Sequence, residues 1–201
     1  GGNGNDLTIS GQSAGAASVT AHMVSPKSWP YFQKGFSISN PLGLMFMTPE
    51  IAMQLGNSVL KNVSCPESGS DAQLECLRAL PAEKLLEASN LKVPLIPSEI
   101  MMVLMEWVPV VDGDEMPNQP ITSIKNGQFN RVPFLASTVS NESLEFLYGI
   151  SPKPLDRFGL EALLAYMLNN MTLFDFVNKE YGPIPNLPDL RHWVSPMVTD
   201  L

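Results

Sequence analysis

Basic residues are scarce in this sequence. Its 201 residues include 12 lysines and arginines against 20 acidic residues, which gives a formal net charge of -8. Nucleic acids and anionic lipid surfaces bind to positively charged patches. The charge balance therefore argues against nucleic acid or an anionic membrane surface as a partner, although it does not indicate the charge of a small substrate.

Long apolar runs are also lacking. The longest, Ile100 to Val111, is interrupted by Glu106 and Pro109 and is too short to span a bilayer. We expect it to be core. Hydrophobic residues make up 44% of the chain, as in ordinary globular proteins, so a sizeable core is available.

Cysteine and histidine are each present only twice, as Cys65, Cys76, His22 and His192. None of these residues has the spacing of a metal site, so we expect no metal and no other cofactor. The cysteines are 11 positions apart in a polar stretch. In a cytosolic protein they would be free thiols, and in a secreted one they would form a disulfide.

The most informative stretch is Gly11–Gly15, which reads Gly-Gln-Ser-Ala-Gly. The β-branched segment Leu7–Ser10 precedes it, and the small residues Ala14–Ser18 follow. A serine between two glycines, at a sharp turn from strand to helix, is typical of a nucleophile elbow. Glycine at the flanking positions lets the strand and the helix approach closely. Ser13 is therefore the candidate nucleophile.

The pattern around this motif predicts an α/β protein. Lys34–Ser39 has the composition of a second strand, and a strand, a helix and a strand at this spacing form a parallel unit. A further strand is predicted at Val132–Thr138. Helices are predicted from Pro49 onward and over residues 72–80, 82–89, 160–168 and 173–181.

Residues 1–19, followed by Ser25-Pro26, resemble the active-serine region of the type-B carboxylesterase and cholinesterase family of α/β-hydrolases. Pro109–Gly113, which reads Pro-Val-Val-Asp-Gly, is similar to a second family stretch. The resemblance implies that residues 1–201 are the central part of a longer enzyme. They would form one incomplete α/β-hydrolase domain, with a mostly parallel sheet and flanking and lid helices.

The resemblance also implies the catalytic acid. After the predicted strand Val132–Thr138, the chain resembles the family phrase Asn-x-Asp-Glu-Gly, which aligns Glu142 with the triad acid. Asn141 replaces the family's Asp and Ser143 replaces its Gly, so the turn must be made differently. Glu145 is the competing candidate. The acid would orient a histidine and stabilise its imidazolium form.

Three further positions are compared with the family in the same way. The amide of Ala14, directly after the nucleophile, is the expected oxyanion donor. Ser39 is retained from a Gln-Ser-Gly phrase and either supports the catalytic histidine or is simply a loop serine. Gln12 replaces the Glu of true cholinesterases, which favours a general carboxylesterase or lipase.

Neither histidine fits the family position. His22 lies on the elbow helix and is expected to point away from Ser13, and His192 precedes the Thr199-Asp200 phrase that comes before the family's histidine. We therefore expect the base beyond Leu201 and the glycine-rich oxyanion loop before Gly1. Taken alone, the 201 residues should not bind substrate productively.

The resemblance favours a Cys65–Cys76 disulfide, because secreted members close a small loop before an Arg-bearing helix that Glu75–Arg78 matches. Three glycosylation sequons agree with a secretory compartment. They begin at Asn62, Asn141 and Asn170. We do not expect glycosylation at Asn141, because the acid should be buried beside it.

Together these features predict a serine carboxylic-ester hydrolase that acts on a small ester through a Ser-Glu-His triad and an acyl-enzyme. The alternative is a non-catalytic, cholinesterase-like adhesion or structural protein with the same fold. Such relatives often lose the nucleophile, so the retained Ser13 favours an enzyme.

Overall fold

The computed structural model describes residues 2–43, 45–66, 68–90, 107–168, 177 and 179–199. The sequon at Asn170 and most of the apolar run from Ile100 to Val111 lie outside the described residues. Of the helix predicted over 173–181, the described positions 177 and 179–181 are helical.

A parallel sheet of three strands organises the amino-terminal part of the chain. Its strands are β1 (Thr8–Gln12), β2 (Lys34–Ile38) and β3 (Phe134–Ser137), in the order β1-β2-β3. Gln12 is paired with Ile38, and Ile38 with Ser137. The three strands therefore end together at one edge, and the predicted parallel arrangement is confirmed.

Helix α1 (Ala14–Val24) connects β1 to β2, followed by a 3-10 helix over Pro26–Tyr31. Small residues begin α1, and its buried face includes Ala16, Val19 and Met23. Val19 and Met23 pack with Phe32 and the half-buried Ile9. Small side chains at the start of α1 let its backbone approach β1 closely.

Three helices form a second cluster around the disulfide. They are α2 (Pro49–Asn62), α3 (Ser70–Arg78) and α4 (Ala82–Ser89). α2 begins where expected, because the Thr48 hydroxyl accepts from the Ile51 amide and proline occupies the first turn. Cys65 and Cys76 form the expected disulfide, and Cys65 is buried with Leu55, Val59 and Leu60.

The remaining described helices are α5 (Pro120–Lys125), α6 (Leu144–Ile150), α7 (Arg157–Leu168) and α8 (Arg191–Thr199). α6 and α8 share a core that contains the fully buried Leu160, Leu190 and Val194. None of the helices in the described ranges has the length and apolarity that crossing a bilayer requires.

Arg191 fixes the start of α8. Only 6% of this residue is exposed, and its guanidinium forms a two-pronged ion pair with Asp189 at 2.9 and 2.6 Å. Another guanidinium nitrogen donates to the Ser151 carbonyl, and the group lies 3.8 Å from the centre of the Tyr148 ring. Hydrogen bonds from Arg191 hold the pKa of Asp189 well below its usual range.

The elbow glycine is required by the approach of α1 to β1. A Cβ on Gly11 would lie 2.8 Å from the Gly15 Cα and closer still to the Gly15 carbonyl. We predict that Gly11→Ala lowers the free energy of unfolding by about 1–3 kcal/mol or more, because backbone atoms cannot move aside as a flexible side chain can. Thermal and denaturant unfolding of the full-length protein measure this.

Gly56→Ala is the matched control. Gly56 lies inside α2 with open space where its Cβ would be, so alanine should stabilise the helix by about 0.5–1 kcal/mol. Equal effects of the two substitutions would contradict the close contact at Gly11.

The Asp189–Arg191 pair predicts a pH-dependent stability. Because the folded pKa of Asp189 is depressed, its stabilisation is complete above about pH 4 and is lost as pH falls through the folded pKa. Asp189→Asn should therefore lower Tm at neutral pH, since it leaves the buried Arg191 without its counter-charge. The Tm difference from wild type should narrow in acid.

The control is Asp6→Asn, which removes the exposed Lys34–Asp6 ion pair. Exposed pairs contribute little to stability, so its Tm should stay close to wild type at every pH. A difference for Asp189→Asn that does not vary with pH would contradict the electrostatic explanation.

Candidate active site

Ser13 occupies the turn between β1 and α1 in an unusual backbone conformation. Its φ is 54° and its ψ is -118°, a region that non-glycine residues rarely adopt and that costs energy to hold. Two hydrogen bonds support it. The Ser13 amide donates to the Ile38 carbonyl at 3.0 Å, and the Ser13 carbonyl accepts from the Ala17 amide at 3.0 Å.

The Ser13 side chain does not cap the helix that it precedes. Caps normally satisfy one of the free amides at a helix start, so both the hydroxyl and the amides of the first turn are left available. The Ala14 amide, first in α1, has no partner inside the helix. A partial positive charge at the helix start favours an oxygen anion at this position.

Gln12 and Ser39 end the two neighbouring strands at the same edge. Gln12 is exposed at the end of β1. Ser39 follows β2 with φ 51°, and its amide donates to the Ser137 carbonyl at 2.7 Å. Ser39 thus lies on the strand between the nucleophile and the loop after β3.

Asn40, which follows Ser39, replaces the glycine of the family phrase without strain. It does not have a positive φ, so this turn does not require glycine. Its side-chain amide donates to the Thr20 hydroxyl at 2.6 Å, which ties the end of β2 to α1. Asn40 and Thr20 also line a small pocket beside α1, together with Ala17, Phe46 and Pro120.

Glu142 lies in the loop between β3 and α6 and is half-buried. One oxygen of its carboxylate accepts from the Val139 amide at 2.8 Å. Its backbone amide donates to the Thr199 hydroxyl at 3.1 Å. Within the described part of the chain, the other carboxylate oxygen makes no hydrogen bond and is available to an imidazole. Glu145 is exposed in the first turn of α6.

The sheet sets the spacing between the strand ends that precede Ser13 and the loop of Glu142. β2 lies between β1 and β3, and neighbouring strands are about 4.8 Å apart, so the ends of β1 and β3 are about 10 Å apart. An imidazole that forms hydrogen bonds of about 2.8 Å to both side chains spans a gap of that size.

The two histidines of the chain lie elsewhere. His22 is exposed on α1, with its Nδ1 atom 2.9 Å from the Ser28 hydroxyl. His192 is exposed on α8, with its Nε2 atom 3.4 Å from the Tyr148 hydroxyl and its ring edge-on to the Tyr148 ring. Neither contacts Ser13 or Glu142. Among the described residues, no histidine contacts the candidate nucleophile or the candidate acid.

The sequence analysis did not identify Ser195, which contacts Asn141 and Ser143 on either side of Glu142. It considered Thr199 only as part of the phrase that precedes the family's histidine. The only hint in the sequence was that Ser195 and Thr199 are four positions apart, which puts two hydroxyl groups on the same face of a helix. Metal binding has no support within the described ranges, where no three His, Cys, Asp or Glu side chains group as ligands.

Comparison with known proteins adds to this geometry. Residues 1–179 match the model of the carboxylesterase family. The chain is 31% identical over its whole length to the cAMP-regulated D2 protein of Dictyostelium discoideum, and it spans 36% of that protein. It is 33% identical to Acetylcholinesterase 1 of Caenorhabditis elegans over 73% of the chain, and spans 24% of that relative.

A solved structure named PNB esterase superposes with a TM-score of 0.68 at 26% identity, over 99% of this chain and 41% of the esterase. The likeness confirms the α/β-hydrolase fold implied by the sequence. The chain thus spans about a third of the length of the first relatives it matches. With the family model matched over most of its residues, the chain belongs to the carboxylesterase family.

Proposed function

We propose that the protein is a serine carboxylic-ester hydrolase in which Ser13 is the nucleophile and Glu142 the triad acid. The observation that carries the proposal is the Ser13 turn, whose positive φ is held at the end of β1. The loop of Glu142 follows β3, which ends at the same edge of the sheet. The histidine and the second oxyanion donor belong to parts of the protein outside residues 1–201, because the relatives are about three times longer.

The proposed chemistry follows from these positions. The Ser13 hydroxyl attacks the ester carbonyl while the histidine accepts its proton, and the Ala14 amide stabilises the oxyanion. The tetrahedral intermediate collapses, and the alcohol leaves with the proton from the histidine. Water then attacks the acyl-enzyme while the histidine accepts its proton, and the histidine returns that proton to the Ser13 oxygen as the acid product is released. Glu142 stabilises the imidazolium in both steps.

The proposed substrate is a small carboxylic ester, and Gln12 favours a general carboxylesterase or lipase over a cholinesterase. We also propose a secretory location. The Cys65–Cys76 disulfide is typical of oxidising compartments, and Asn62 is an exposed sequon residue at the end of α2. Asn141 is proposed to be unglycosylated, because a hydrogen bond from the Ser195 hydroxyl holds its side chain against α8.

Ser13→Ala should lower kcat for a simple aryl ester by at least about 10⁴-fold, because loss of a triad nucleophile removes the whole acyl-enzyme route. The assay uses the full-length protein and is paired with fluorophosphonate labelling, which should mark Ser13 in the wild type only. Ser58→Ala, which removes an exposed hydroxyl on α2, is the control and should retain full activity and labelling.

Two results would contradict the proposal in different ways. Activity retained by Ser13→Ala would show that another group is the nucleophile. A folded wild-type protein that neither hydrolyses esters nor takes the label would instead support the non-catalytic adhesion or structural role.

A further inference from the structure

Helix α8 contacts the loop that carries Glu142, which we call the acid loop. The contacts involve two loop residues, Asn141 and Ser143, that both differ from the family phrase. The Ser195 hydroxyl donates to the side-chain oxygen of Asn141. The Ser143 hydroxyl lies 2.8 Å from the Ser195 carbonyl and 2.9 Å from the Ser195 hydroxyl. The two departures, Asn141 and Ser143, therefore share one partner. Ser195 is 0% exposed and Ser143 is 4% exposed.

Thr199 makes the contact with Glu142 itself. Its hydroxyl accepts from the Glu142 amide at 3.1 Å and donates to the Ser195 carbonyl at 2.9 Å. Ser195 and Thr199 are one helical turn apart, so they are on the same face of α8. We call this group, Asn141, Glu142 and Ser143 with Ser195 and Thr199, the hydroxyl clamp.

The protons of the clamp are fully used. The Ser195 proton goes to Asn141, the Thr199 proton goes to the Ser195 carbonyl, and the Ser143 proton goes to Ser195. The Thr199 oxygen in turn accepts from the Glu142 amide. A buried hydroxyl left unpaired is costly, so these hydrogen bonds favour the loop backbone conformation that keeps every hydroxyl paired.

The clamp also explains how the loop manages without the family's glycine. Ser143 has φ -98° and ψ -12°, a conformation that any residue adopts, so no glycine is needed at this position. Its side chain instead enters the space between α6 and α8, where it reaches Ser195.

From these contacts we infer that Ser195 and Thr199 are positioning residues for the catalytic acid, with Asn141 and Ser143 as their matched partners in the acid loop. The inference rests on the proposed function, since Glu142 must be the acid for its position to affect hydrolysis. Small displacements of a catalytic group reduce rate steeply, by up to about 100-fold for about 1 Å. The clamp fixes the backbone of Glu142, and the Val139 amide fixes one oxygen of its carboxylate.

The first test is Thr199→Val in the full-length protein, which keeps the shape of the side chain and removes its hydroxyl. We expect kcat for an aryl ester to fall about 10–100-fold with KM within about twofold, because the acid moves while the substrate site does not. Thr199→Ser restores the hydroxyl and should return kcat to within a few-fold of wild type.

Ser89→Ala is the matched control. Ser89 is also half-buried and donates to a carbonyl one turn earlier in its helix, at 2.7 Å, but it lies on α4. Its loss should leave kcat unchanged. If Thr199→Val and Ser89→Ala behave alike, the Thr199 hydroxyl has only a helix-stabilising role and the inference is wrong.

A second measurement does not depend on activity. Amide hydrogen exchange at Glu142 should accelerate in Thr199→Val and return to the wild-type rate in Thr199→Ser, while exchange in β2 stays unchanged. Unchanged exchange at Glu142 overturns the clamp. If the wild-type protein does not hydrolyse esters, the proposed function fails, and with it the positioning role in catalysis, whatever the exchange rates show.

Asn141→Ala is used if Thr199→Val does not fold, since Asn141 is exposed and its replacement leaves the core intact. It removes the acceptor of the Ser195 proton, so kcat should fall several-fold with KM unchanged. Full activity in Asn141→Ala, together with wild-type exchange at Glu142, would overturn the inference.

Discussion

The structure depends on how closely α1 approaches β1 at the Ser13 turn. The Gly15 backbone lies so close to Gly11 that no side chain would fit at that position. Between these two glycines, Ser13 has a positive φ. The backbone strain is confined to Ser13, but the hydrogen bond that stabilises this conformation comes from the neighbouring strand, because the Ser13 amide donates to the Ile38 carbonyl. The turn can therefore keep its shape only when β2 is paired beside β1.

β2 contributes no catalytic side chain to the proposed site, yet it sets the spacing between β1 and β3, the strands that lead to the candidate nucleophile and the candidate acid. Through Ile38 it supports the nucleophile turn, and through the Ser39 amide it holds the end of β3. The spacing between the ends of β1 and β3 is thus a property of the backbone ladder. Side-chain substitutions on β2 should disturb it less than a shift in strand register would.

Local sequence patterns were enough to predict the elbow and the parallel strands, because the glycines and the small residues after Ser13 act on their immediate neighbours. The disulfide was predicted from family resemblance and is confirmed; the role of Glu142 came from the same resemblance and stays a prediction. The clamp could not be predicted, since Asn141 and Ser195 are 54 residues apart in sequence. Pro196 also lies inside α8, and a proline normally argues against a helix interior.

The three strands are synthesised in the order in which they lie in the sheet, but at very unequal intervals. Gly35 of β2 is paired with Phe134 of β3, so about 100 residues must be made after β2 before its outer edge finds a partner. At ~5–20 residues per second, that edge is unpaired on the ribosome for about 5–20 s. An open parallel edge can pair with another chain, so the unpaired edge of β2 is exposed to non-native pairing until β3 is made.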